Sequence, residues 1–208
     1  DEPEELVFDL FERELFGRHP LSRPIIGTDA SVSRLDRAAI ERFHRAHYRM
    51  DEMVVVASGA HTHEELFRSV DRALRHLPRH LQRTAPRKSS RAVAQHAVPK
   101  RPVSELLVPR TGGQQAHIIL GRRAPGLSAK RNLAINALIT LAGVGMSSRL
   151  NLRLREELGL AYDAVAFYGP FAETGTAGLY VATAVENRER ATREMQRIAR
   201  GLTRQAIT

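Results

Sequence analysis

The sequence predicts an α+β protein in which helices pack on one face of a largely antiparallel sheet. Two observations carry that class. Long segments repeat apolar residues at helical spacing, and separate short runs are dense in β-branched residues. Two of those runs, 162–168 and 178–183, read as a hairpin turning at Glu173-Thr174-Gly175. A third feature, the basic stretch 79–102, divides the chain.

Helix formation is expected from the start of the chain, with Pro3 in the first turn, acidic neighbours complementing the helix dipole, and Val7, Leu10, Phe11 and Leu15 on one face. Residues 17–27 form a Gly- and Pro-rich connection. A second helix spans 35–48 with Ser33 as its cap, and Met53-Val54-Val55-Val56-Ala57 reads as a buried strand. Thr62 caps the next helix, whose stripe is Leu66, Val70, Ala73 and Leu77 and whose stop is Pro78. After residue 102 two strands are expected at 103–108 and 116–120. An apolar helix follows at 130–142, then the turn Gly143-Val144-Gly145 and a helix carrying Leu150, Leu154 and Leu158 that Gly159 ends. The hairpin comes next, and Asn187 caps a closing helix with Ala191, Met195, Ile198 and Leu202 inward. The strand and helix at 53–77 and those at 178–202 share their apolar spacing, which supports a repeated βα unit.

From 79 to 102 apolar periodicity gives way to basic residues, Ser and Pro, the composition of a linker. The expected organisation is therefore 1–78 as the back half of one domain, 79–102 as linker, and 103–208 as the front of a second, homologous domain.

At 208 residues and 42% hydrophobic content the chain can bury a core. It contains no cysteine, which removes disulfides, thiolate metal sites and cysteine nucleophiles. No run is long and apolar enough to cross a membrane, and the acidic start is unlike a secretory leader. The expectation is a soluble, cytoplasmic protein that makes no membrane contact; a leader removed earlier would leave the same record for the mitochondrial matrix or the exterior. A net charge of +9 raises the question of nucleic acid. The basic excess is almost all arginine, spread over predicted helices, and the densest basic run, 79–102, holds no aromatic residue to stack on bases. A nucleic-acid-binding module is thus the less favoured function, and no specific nucleic-acid partner is expected.

Nine histidines invite a search for zinc, but neither HExxH nor HxxEH occurs. His76 and His80 are four apart, but Pro78 lies between them and no acidic residue accompanies them; His44 and His47 are three apart, and His61 and His63 are two apart at an expected helix start. No metal ligand is assigned. The esterase elbow, the phosphate loop and the dinucleotide fingerprint are also missing. Gly143 to Ser148 could hold an anion before a helix, but it reads more simply as a turn that needs glycine dihedrals.

Two strings go further. GRHPLSRPIIGT at 17–28, followed by the helix 35–48 and MVVVASGAHTHEEL at 53–66, resembles the stretch downstream of the zinc ligands in the pitrilysin, insulinase and mitochondrial processing peptidase family. GVGMSSRLNLRLREELGLAYDAVAFYGPFAETG at 143–175 resembles the signature of that family's second homologous domain.

The resemblance implies part of a zinc-dependent metalloendopeptidase. In the family, HxxEH on the first domain supplies two histidine ligands and a glutamate general base, and a third glutamate ligand follows. By the resemblance these lie before Asp1, so no cofactor is expected in this chain, zinc is expected in the complete protein, and the chain should not be active alone. The helix at 132–141, which corresponds to the zinc-motif helix, offers no histidine or acid. The second domain contributes an arginine and a tyrosine that close over substrate, and they match Arg155 and Tyr162. A guanidinium and a phenol can hold a peptide carbonyl or a developing oxyanion. Helical geometry alone does not choose Arg155 over Arg153. The implied partners are a peptide or protein substrate and a homodimeric or heterodimeric related subunit. The alternative function is a non-catalytic scaffold or partner subunit of the same family.

Overall fold

The structure, a computed structural model, describes residues 2–50, 53–76, 105–110, 112–127 and 130–204, with backbone alone at 203 and 204. Its order is α1 (Pro3–Phe16), a 3-10 turn (Pro20–Ser22), α2 (Asp29–Val32), α3 (Arg37–His47), α4 (His63–Arg75), β1 (Gln115–Pro125), α5 (Asn132–Gly143), a π-helical segment (Asn151–Glu157), β2 (Ala161–Pro170), β3 (Thr174–Ala184), a second 3-10 turn (Val185–Asn187) and α6 (Arg188–Arg204). The expected α+β class with a largely antiparallel sheet holds. Residues 2–24 and those from 105 onward form one compact unit, and 25–76 belong to another.

The larger unit is built on the antiparallel sheet β1-β3-β2. Strand alternation gives β3 two buried faces. Leu179 and Val181 join Ala164 and Ala166 of β2, Ala142 of α5, Leu150, Leu154, Leu160, and Ala191 and Met195 of α6 in the core. Each large side chain among them contributes about 1.5 to 3 kcal/mol by leaving water. Gly143, the last residue of α5, lies so close to β2 that a Cβ there would run into the amide nitrogen of Ala166.

Tyr180 and Gly178 of β3 turn to the other face, and α1 covers it. Phe8 lies 5.2 Å from Phe167 and 5.5 Å from Tyr180 between ring centroids, and Phe11 lies 5.9 Å from Phe167. Gly121 of β1 leaves room for Phe11, since a Cβ there would meet that ring. One helix thus packs on the face opposite the others. It also groups α1 with the sheet of the later residues, whereas the sequence division put residues 1–78 together. The linker assigned to 79–102 lies outside the described residues.

In the smaller unit the helix starts follow local chemistry. Thr28 caps α2 and shares a capping box with Ser31; Asp36 accepts from the Ala39 amide at 2.6 Å to open α3; Thr62 and Glu65 form the capping box of α4. The expected cap Ser33 is instead the C-cap of α2, because Thr28 and Asp36 divide 28–47 into two helices. α4 ends at Arg75, and the predicted stop at Pro78 lies outside the described residues.

Residues 53–57 are not a strand. Val54 and Val56 are 87% and 85% exposed, and among the described residues no neighbouring strand bonds to them. β-branched composition favours a pleated, half-buried position, but a strand forms only where a partner supplies the ladder. Leu35, Ile40, Phe43 and Phe67 are also exposed, and no described residue of 25–76 is buried. The strand expected at 103–108 is likewise not found at 105–108, and 103–104 lie outside the described residues. The one at 116–120 extends over the whole of β1.

Candidate functional site

The sequence-predicted pair Arg155 and Tyr162 sits on two consecutive irregular elements. The predicted helix over Leu150, Leu154 and Leu158 is π-helical from Asn151 to Glu157, with Leu150 and Leu154 buried and Leu158 partly so. Such one-turn insertions recur at functional sites. Gly159 follows with φ of +58°, a left-handed conformation that glycine adopts without a Cβ penalty. The Leu160 amide then donates to the Leu154 carbonyl at 2.7 Å. This closing bond spans one residue more than the equivalent bond at the end of an α-helix, as the wider π-turn requires. Thr183 Oγ1 donates to the Leu160 carbonyl at 2.6 Å, tying the same point to β3.

Tyr162 lies where the β2 to β3 register shifts, between Ala161 and Asp163. A bulge at that point re-aims the side chain. Tyr162 is 62% exposed.

The two arginines that the sequence left undivided differ clearly. Arg153 donates through Nη1 to Glu157 at 2.7 Å and through Nε to Glu194 of α6 at 3.0 Å. These hydrogen bonds, Glu157 first and then Glu194, hold its guanidinium above the ordinary arginine pKa. Arg155 is exposed, its Nη1 lies 3.9 Å from Met146 Sδ, and among the described residues no carboxylate pairs with it. A guanidinium without an internal anion keeps its donors for a ligand. Val144, Met146 and Leu152, on the turn and the first part of the π-helical segment, are exposed as well.

Met146 and Asn151 were missed by sequence reasoning. Asn151 is buried and donates through Nδ2 to Ala164 O at 2.9 Å, Ser148 Oγ at 3.1 Å and Gly145 O at 3.2 Å. A polar residue set directly beside Leu150 in an apolar stripe was the signal available for it. Gly143 closes α5, and residues 144–148 form the turn expected between the two helices, with Gly145 at φ of +84°.

The histidine pairs are not brought together as ligands. His47 lies 4.4 Å from Phe43 and His44 4.7 Å from Tyr48 between centroids; His76 is the C-cap of α4, and His80 lies outside the described residues. Among the described residues no three His, Cys, Asp or Glu side chains are grouped to hold a metal ion. No described helix is long and apolar enough to cross a membrane.

A family model described as the peptidase M16 inactive domain matches residues 34–208. An uncharacterized zinc protease of Mycobacterium leprae is 36% identical over 183 residues, covering 88% of this chain and 40% of the relative. One from Streptomyces coelicolor is 36% identical over 189 residues, covering 86% and 39%. The chain therefore spans about two fifths of the length of these relatives. The fold matches that of a peptidase M16 inactive domain from Pseudomonas fluorescens with a TM-score of 0.77 at 17% identity, covering 99% of this chain and 48% of that one. It also matches a protease from Helicobacter pylori with a TM-score of 0.79 at 20% identity, covering 98% and 48%. With most of its length matched by that model, and with relatives named zinc proteases at 36% identity, the chain belongs to the M16 peptidase family, as its motifs at 17–28 and 143–175 implied.

Proposed function

We propose that this chain forms the substrate-facing side of a zinc-dependent endopeptidase of which it is one part, with Arg155 and Tyr162 contacting the bound peptide. The observation that carries this reading is the contrast between two neighbouring arginines. Arg153 is held by Glu157 and Glu194, whereas Arg155 is exposed beside Met146 with no carboxylate partner among the described residues. An exposed guanidinium and a phenol on a bulge are both donors to a peptide carbonyl. They bind more strongly as that oxygen gains charge in the transition state. Zinc and the general base are assigned to sequence outside this chain, in keeping with the span of the relatives named zinc proteases. Residues 1–78 are proposed to belong to the zinc-bearing domain and 103–208 to the second domain. The other partner is proposed to be a related subunit.

A second reading is a non-catalytic scaffold subunit, favoured by the description of the matching family model as an inactive domain. Peptide hydrolysis by the longer polypeptide, with and without a zinc chelator, separates the two. Chelator-sensitive cleavage supports the first reading, and no cleavage by a folded, zinc-supplied protein supports the second.

A further inference from the structure

We propose that Asn151 is a positioning residue that fixes Arg155 relative to Tyr162; its catalytic consequence rests on the reading of that pair given above. Asn151 opens the π-helical segment and is only 7% exposed. Its amide carries two hydrogens and has three acceptors within reach, so at least one hydrogen is shared. The acceptors belong to separate pieces of chain. Gly145 O lies in the glycine turn, Ser148 Oγ precedes the segment, and Ala164 O is on β2, two residues beyond Tyr162. The Asn151 backbone amide also approaches Ser148 Oγ at 3.4 Å.

An apolar side chain would fill this place as Leu150 and Leu154 fill theirs, without the cost of burying an amide. The amide adds direction. In a buried, low-dielectric setting its bonds are strong, and losing them takes a donor from the Ala164 carbonyl and leaves Gly145 O with the Ser148 amide at 3.2 Å. At the other end of the segment the bond from the Leu160 amide to Leu154 and that from Thr183 to Leu160 make a second anchor. Arg155 lies between the two anchors, and Tyr162 lies between the second anchor and Ala164. With Asn151 replaced, Leu150, Leu154 and the Arg153–Glu194 pair still hold the segment, but the tie from its first turn to β2 is lost, and the separation of the two side chains becomes variable.

The test uses the absence of cysteine from the chain. Nitroxide labels on Arg155→Cys and Tyr162→Cys report their separation by electron paramagnetic resonance, with circular dichroism and Tm measured alongside to confirm folding. A single narrow distance is expected with Asn151 in place and a broadened or displaced one with Asn151→Leu. Asn151→Gln, which keeps a donor on a longer stem, is the second variant and is expected to fall between. An unchanged distance in either folded variant overturns the proposal, since a residue contributing only to stability lowers Tm without moving the pair. In the longer, active polypeptide, Asn151→Leu is expected to lower kcat about 10- to 100-fold with KM little changed, the scale of loss from a misplacement of about 1 Å. It should have no further effect on kcat when Arg155 is already alanine. An undiminished effect in the Arg155→Ala background also overturns the proposal. If Arg155→Ala alone leaves kcat intact, the reading of the pair fails, and the distance measurement still decides whether Asn151 positions it.

Discussion

Arg153 Nε reaches across to Glu194 Oε2 at 3.0 Å and so fastens the π-helical segment to α6, while Arg155, two residues on, makes no such contact. The two side chains have separate jobs in one short element. Arg153→Ala should lower Tm slightly, with the loss shrinking at high salt because the pair is partly open to solvent. Turnover in an active form should stay near that of the parent. Thermal melts at low and high ionic strength check the first part, and a salt-independent loss would contradict it.

The π-helical segment makes a second prediction through its leucines. Leu154 is fully buried in the core cluster that includes residues of β2 and α6, whereas Leu152 is exposed. Leu154→Ala should cost about 2 to 5 kcal/mol, the range for emptying a packed leucine site. Leu152→Ala should fall within about 0.5 kcal/mol of the parent. Urea unfolding of both variants decides it, and equal losses would mean that the register of the segment is wrong.

The core stripes were legible because burial follows apolar spacing: Leu150, Leu154, Ala191 and Met195 were all expected inside, and all are buried. The hairpin was legible because β2 and β3 are local partners. The run at 53–57 misled because its β-branched residues state a preference for a strand, while the strand itself depends on a neighbour that the described residues do not supply. The π-helix was read as an ordinary helix, since the extra residue is absorbed by backbone bonds such as that from Leu160 to Leu154, which leave no mark on apolar spacing. The bulge at Tyr162 is hidden for the same reason. Arg155 was singled out only through family resemblance, and of the two carboxylates that set Arg153 apart from it, Glu157 is local but Glu194 is distant in sequence.

Alkaline pH provides a third prediction. Tyr180 is buried under α1, and burial first, then the nearby charges of Glu4 and Asp163, push its phenol up to about 12 from an ordinary 10.0. The folded form therefore holds the phenolic proton more tightly than the unfolded form. Its contribution is fully present below the unfolded value of about 10 and is lost as pH rises toward about 12. Stability should fall more steeply across that window in the parent than in Tyr180→Phe. The variant should also be less stable at neutral pH, because it gives up the 2.8 Å contact between the hydroxyl and His117 Nδ1. Urea midpoints from pH 8 to 12 test both statements, and parallel pH curves for the two proteins would refute the first.

The most direct measurement is the turnover of Arg155→Ala and Tyr162→Phe in a polypeptide that also carries the zinc-bearing half, on a peptide substrate and with zinc content determined on the same samples. Each substitution should lower kcat by about 100-fold or more, the scale for removing one donor aimed at a developing oxyanion. Zinc content should stay at the parental level, since neither residue is a metal ligand, and Arg153→Ala should remain close to the parent. Full turnover in both Arg155→Ala and Tyr162→Phe, or an equal loss in Arg153→Ala, would contradict the assignment of this surface to the substrate.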